Sequence, residues 1–123
     1  MPGCEVWDLV KVPFPYTNRS VQQRRPALVV AVPDAPGAPE LLWVLMVTSA
    51  ANRGWPGDVP VSDLAVAGLP APSVVRSAKI ATIEARDAER IGHLPPEDCT
   101  LVQAALRQGL AQVLAGGSHC YPR

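Results

Sequence analysis

Fourteen prolines in 123 residues, about twice the usual share, constrain this chain more than any other feature. Proline breaks helices and is excluded from central strands. Apolar runs between prolines must therefore be short. The pattern predicts strands over Cys4 to Val12, Pro26 to Val32 and Leu41 to Thr48, a short one over Asp58 to Val61, and two more over Ser73 to Arg76 and Lys79 to Glu84. Thr17 to Arg25, Pro33 to Pro39 and Ala50 to Gly57 read as loops and turns. Ser62 reads as the N-cap of a single helical turn through Val66 that Gly68 stops.

The last segment changes period. Pro95-Pro96-Glu97-Asp98 places prolines and acids at a helix start. Leu101, Val102, Ala105, Leu106, Leu110 and Val113 then recur at helical spacing. Gly116-Gly117 ends that helix and leaves a loose tail over about 116–123. Five or six short strands followed by one helix predict a mainly-β chain with a C-terminal helix (α+β), a small barrel with helical additions. The length suits a single domain over 1–123. No 18-residue apolar run or secretory pattern occurs, and Cys4, Cys99 and Cys120 are an odd, widely spaced set. Those features point to reduced thiols and a cytoplasmic setting.

Several chemistries are excluded by their missing motifs. His93 and His119 lie far apart and no Cys-x-x-Cys occurs, so no metal-ligand spacing is present. His93 reads as a surface residue in a loop and His119 as tail. Neither a phosphate-binding P-loop nor a Gly-x-Ser-x-Gly elbow is found. What remains is arginine and hydroxyl chemistry. Arg25 sits immediately before a predicted buried strand, and Thr48-Ser49 ends the next one. A guanidinium beside a hydroxyl on an apolar scaffold suits a phosphodiester. Formal charge is zero, yet four bases and no acid lie between Leu9 and Pro33, and Arg53, Arg76 and Lys79 also occupy acid-free stretches. This distribution allows a local basic groove on a neutral body. Trp43 reads as core. Trp55, in a loop, either stacks on a base or packs at a dimer edge.

Val12-Pro13-Phe14-Pro15-Tyr16-Thr17 and Arg24-Arg25-Pro26-Ala27-Leu28-Val29-Val30 resemble the opening of the MazF/PemK family of toxin endoribonucleases. Asp8 resembles that family's first-strand acid, with Trp7 where the family has glycine. Val47-Thr48-Ser49, Gly57 to Asp63, Ala67 to Arg76, Lys79-Ile80 and Ile91 to Leu94 continue the similarity, which runs from about Glu5 to Leu114. The resemblance implies an SH3-like barrel of the MazF/PemK/CcdB toxin type, a homodimer, and a separate antitoxin that blocks the RNA groove. It implies cleavage of single-stranded RNA without metal or other cofactor.

By position the resemblance makes Arg25 and Thr48 catalytic and gives Arg76 a place at the site. Asn18, Arg19, Gln23, Arg24 and Ser49 join them as RNA-binding candidates, with the loop from Thr17 to Arg24 covering the strand. Ser20 and Ala78 stand where many members carry a carboxylate. Arg24, Gln23 or a bound water are then the options for a general base. Two other readings stay open: a gyrase-poisoning toxin of the same fold, and a catalytically weak SH3-like binding module.

Overall fold

Three leucines, Leu9, Leu28 and Leu45, stand opposite one another across three neighbouring strands, and each is fully buried. They are the centre of a computed structural model that describes residues 3–14, 23–33, 36–37, 39–52 and 54–115. The predicted tail beyond 115 lies outside the described residues. The strands are β1 (Asp8–Phe14), β2 (Gln23–Ala31), β3 (Leu41–Ser49), β4 (Asp58–Pro60), β5 (Ser73–Glu84) and β6 (Glu89–His93). The helices are α1 (Leu64–Ala67), α2 (Pro96–Gly109) and α3 (Ala111–Leu114). Every strand pairing is antiparallel.

The sheet order is β4-β5-β3-β2-β1-β6. This corrects the expected barrel: β4 and β6 are two edges of an open sheet and do not pair with each other. The reason lies in what meets those edges. β4 has three residues and ends on Pro60, which has no amide to donate. The backbone of α1 lies against β6, where a Cβ on Gly92 would come within 2.5 Å of the Ala67 carbonyl and the Val66 oxygen. A helix occupies the place that a closing strand would need.

Alternation gives the sheet two apolar faces. One carries Leu9, Leu28, Leu45, Val47, Val59 and Val75, packed against Val102 and Leu106 of α2 and against Ala67, Leu69 and Leu94. The other carries Val10, Val12, Ala27, Val29, Leu42, Val44 and Met46, joined by Ala81 and Ile83 of β5. None of the three α-helices among the described residues lies on this second face, yet the seven residues from Val10 to Met46 just named are at most 5% exposed. The sheet must therefore curl around it. Irregular pairing is the device: β5 carries extra residues where its register shifts opposite Leu45 and Met46, and bulges bend and twist a strand. That shift joins what the sequence divides into two strands into a single 12-residue β5.

Other boundaries moved for local reasons. Gln23 and Arg24, read as loop, extend β2 because they pair with Phe14 and Pro13. His93 lies in β6, a strand the sequence did not signal, opposite Asp8. Asp63 rather than Ser62 caps α1, its Oδ1 accepting from the Val66 amide at 3.2 Å. Ser62 instead donates from its amide and hydroxyl to the buried Asp98 of α2, at 2.8 and 3.0 Å. Helix α2 stops at Gly109, earlier than expected. Its predicted stripe is buried at Val102 and partly covered at Ala105 and Leu106, while Leu101, Leu110 and Val113 face solvent. Trp43, expected in the core, is 47% exposed: alternation puts it on the helix-bearing face, beyond the reach of the helix.

Trp7 adopts φ +80°, a left-handed conformation that costs a bulky residue about 1–3 kcal/mol. Its amide donates to Val29 O at 2.8 Å and its carbonyl accepts from Leu94 at 2.9 Å, and its ring packs on the helix-side core. These contacts offset the strain at the position where the resemblance expects glycine. Gly68 ends α1 at φ +76°, and a Cβ there would fall on the Ile91 carbonyl. Gly68→Ala should lower stability by roughly 3 kcal/mol through both effects, measured by urea denaturation. Gly109→Ala, with open space around it, is the comparison. Equal stability of the two variants would show that the α1–β6 contact is not tight.

Candidate functional site

The second face of the sheet, apolar along most of its length, becomes polar at one end. Arg25 pairs with the buried Val12 across β1 and β2, so both share this face. The register that pairs Ala27 with Met46, carried two residues on, sets Arg25 level with Thr48. Thr48 pairs with Val74 of β5, and Val74 with Pro60 of β4. A single row thus crosses four strands: Arg25, Thr48, Val74, Pro60. The next row inward is Ala27, Met46, Arg76, Asp58. Both residues singled out in the sequence for phosphodiester chemistry fall in one row, on adjacent strands and on one face. Arg25 and Thr48 are each half-buried.

Behind Thr48 runs a hydrogen-bonded chain. The Asn52 side-chain amide donates to Thr48 Oγ1 at 3.2 Å. The Asn52 carbonyl accepts from Arg76 Nη2 at 2.6 Å. Arg76 also grips Asp58 with both edges of its fork, Nε to Oδ1 at 3.1 Å and Nη2 to Oδ2 at 3.0 Å. The amides of Gly54 and Trp55 donate to the same Asp58 Oδ2, each at 3.2 Å. The loop between β3 and β4 is therefore pinned at three points by one buried ion pair. With one lone pair of Thr48 Oγ1 occupied by Asn52, the hydroxyl proton is free to donate elsewhere.

The bond from Arg76 holds the Asp58 carboxyl below its ordinary range, helped by the Trp55 and Gly54 amides and opposed by burial. Asp58 in turn raises the Arg76 guanidinium above its usual value. Both groups stay charged through the physiological range. Arg76 also lies over the Trp55 ring, 4.1 Å from its centroid, within cation–π distance. An open cleft of about 290 Å³ elsewhere, beside Ser77 and Gln108, is mostly apolar. A larger cleft, about 520 Å³, opens next to the row itself and is lined by Gly54, Trp55, Pro56, Asp58, Pro60 and Val74.

The other sequence candidates divide by position. Gln23 shares the face of Arg25, two residues on. Arg24 points the opposite way, where its Nη2 donates to Lys11 O at 3.1 Å and pairs with Glu89 at 3.5 Å. Ser49 alternates away from Thr48, and its Oγ accepts from the Ala51 amide at 3.2 Å. Arg76 shares the face but is 8% exposed, and its bonds to Asp58 and Asn52 make it a brace for the loop. Asn18, Arg19 and Ser20 lie outside the described residues. Among the described residues no three His, Cys, Asp or Glu side chains cluster as a metal site would require. Asn52 and Asp58 were not singled out as site residues. The signal for Asp58 was the Gly54-x-x-Gly57 turn before it, but its partner emerges only once β4 pairs with β5.

Comparison with known proteins gives a consistent picture. A family model described as "PemK-like, MazF-like toxin of type II toxin-antitoxin system" matches residues 5–110. MazF from Deinococcus radiodurans superposes with a TM-score of 0.67 at 22% identity, covering 90% of this chain and 99% of that one. The toxin MazF-mt6 of Mycobacterium tuberculosis gives a TM-score of 0.60 at 24% identity, covering 83% and 95%. A mycobacterial endoribonuclease in complex with its cognate antitoxin gives 0.66 at 15% identity, covering 86% and 93%. A search of curated sequences returned no match.

The ion pair sets a testable linkage. A carboxylate whose folded pKa lies below its unfolded value, about 3.9, contributes stability above that value and loses it as pH falls through the folded one. Asp58→Asn should lower the thermal midpoint at pH 7 by about 5 °C or more. The gap to the parent protein should narrow as acid protonates Asp58. Identical melting of the two proteins at pH 7 would show that the pair does not brace the loop.

Proposed function

Because this chain belongs to the PemK-like, MazF-like toxins of type II toxin–antitoxin systems, an endoribonuclease family, we propose that Arg25 and Thr48 form its catalytic pair and cut single-stranded RNA without a metal. The observation that supports this most directly is the shared row. The β2–β3 register sets a guanidinium and a hydroxyl side by side on one face, next to a cleft.

The ribose 2′-hydroxyl attacks the adjacent phosphorus and expels the 5′-oxygen. The products are a 2′,3′-cyclic phosphate and a 5′-hydroxyl. Negative charge builds on the non-bridging oxygens, which Arg25 holds through parallel N–H donors. Thr48, its oxygen held by Asn52, donates a hydrogen bond to the same phosphate and fixes its position, and the departing 5′-oxygen takes its proton from water. Deprotonation of the 2′-hydroxyl falls to water in this scheme, since Asp58 is committed to Arg76. DNA lacks the nucleophile and resists cleavage. A-form geometry keeps the 2′-hydroxyl out of line with the leaving oxygen, so the substrate is unpaired. Gln23 contacts the strand beside Arg25, and Asn18 and Arg19 do so from the preceding segment.

The solved MazE–MazF complexes of Deinococcus radiodurans support a protein antitoxin as partner here. A cytoplasmic setting follows from that role, and no helix among the described residues is long and apolar enough to cross a membrane. A homodimer over one 1–123 domain completes the reading. Trp43, Ile80 and Leu101, each about half exposed, provide apolar surface for a second copy or for the antitoxin to cover.

Arg25→Ala should lower kcat on single-stranded RNA in EDTA by about 10²–10³, and Thr48→Ala should lower it about tenfold or more, with melting temperatures retained. Mass spectrometry of the products should show cyclic phosphate ends. Cleavage by Arg25→Ala at the parent rate would end the assignment.

A further inference from the structure

We propose that the cleft beside Trp55 is a stacking site for one nucleobase of the RNA, with Trp55 as a substrate-positioning residue; this rests on the nuclease reading above. Trp55 is half exposed, in a chain with only six aromatic residues. Arg76 covers one face of its indole at 4.1 Å, and Asp58 and Asn52 hold Arg76 in turn. The ring is therefore fixed before any ligand arrives, which lowers the entropy cost of stacking on it. The ring also lines the cleft of about 520 Å³, large enough for a base.

The cleft continues the catalytic row. Pro60 and Val74 line it, and they follow Thr48 across the sheet. Two strand spacings amount to about 10 Å, which sets the stacked base about one or two nucleotides from the bond that is cut. A peptide strand fits this place poorly, because β4 is the edge and Pro60 has no amide to pair with it. The lining is also poor in free hydrogen-bonding groups: glycine, proline and valine surround the indole, and Asp58 already accepts from Arg76, Gly54 and Trp55. A site that stacks without reading base edges tolerates any base. It contributes affinity and alignment, and sequence preference is set elsewhere.

The test uses the full chain on a random pool of single-stranded oligoribonucleotides, with cleavage sites read by sequencing. Trp55→Ala should raise KM by roughly tenfold to hundredfold, leave the preferred cleavage sequence unchanged, and keep the melting temperature close to that of the parent. Trp55→Phe should recover most of the loss. In the parent, one abasic nucleotide near the cut should mimic Trp55→Ala, and in Trp55→Ala the same abasic site should add nothing. An unchanged KM for Trp55→Ala, or a further loss from the abasic site in that variant, would overturn the stacking assignment. If the parent cleaves no RNA, the nuclease reading fails on its own. Fluorescence anisotropy with the same oligonucleotides then decides this proposal: weaker binding by Trp55→Ala than by Trp55→Phe supports it, and equal binding overturns it.

Discussion

The two-pronged bond between Arg76 and Asp58 is the interaction on which the geometry of the candidate site depends. It joins β5 to β4 at the sheet edge, where a three-residue strand would otherwise have little to hold it. The same two side chains organise the preceding loop, through the Asn52 carbonyl, the Gly54 and Trp55 amides and the Trp55 ring. Buried ion pairs are weak evidence for stability taken alone, because desolvation opposes their attraction. Here both Asp58 oxygens and two of the three Arg76 nitrogens are hydrogen-bonded, and what the pair supplies is a defined loop conformation next to Thr48.

The rest of the architecture explains why that end is open. Cys4, Ala85 and Ala88 pack against the core on the curled face of the sheet. At the near end the aliphatic residues give way to Arg25, Thr48 and Arg76. A polar rim on an apolar curl leaves charged groups in a low-dielectric wall, where a guanidinium acts more strongly on a phosphate than it would in water. The candidate site and the core therefore use the same alternation of the same strands. Arg25 and Ala27 differ only in how far along β2 they stand.

That Arg25 and Thr48 stand on neighbouring strands was legible in the sequence, but the loop contacts behind Thr48 were not. Arg25-Pro26 and Thr48-Ser49 flank apolar runs, and antiparallel neighbours of that kind bring a strand start beside a strand end. Arg24 and Ser49 read as RNA-binding candidates, and alternation sends them to the other face. Arg76 was visible as a base in an acid-free stretch. Its partner Asp58 lies 18 residues earlier, on a strand too short to announce its pairing. Trp43 misled because an apolar run does not say where a covering helix ends.

The sequence by itself determined the strand-rich character, the central parts of β1, β2 and β3, the start of the last helix, and which side chains offer guanidinium and hydroxyl groups. Those follow from local rules: proline geometry, period two, and functional-group chemistry. Only the tertiary structure decided that the sheet stays open, that β6 forms its far edge, and that Arg76 braces a loop. Each of these depends on contacts between segments distant in the chain: α1 against β6, Asp8 opposite His93, Asp58 opposite Arg76. No local pattern encodes such pairings, because they are set by which partner buries the most surface and satisfies the most polar groups at once.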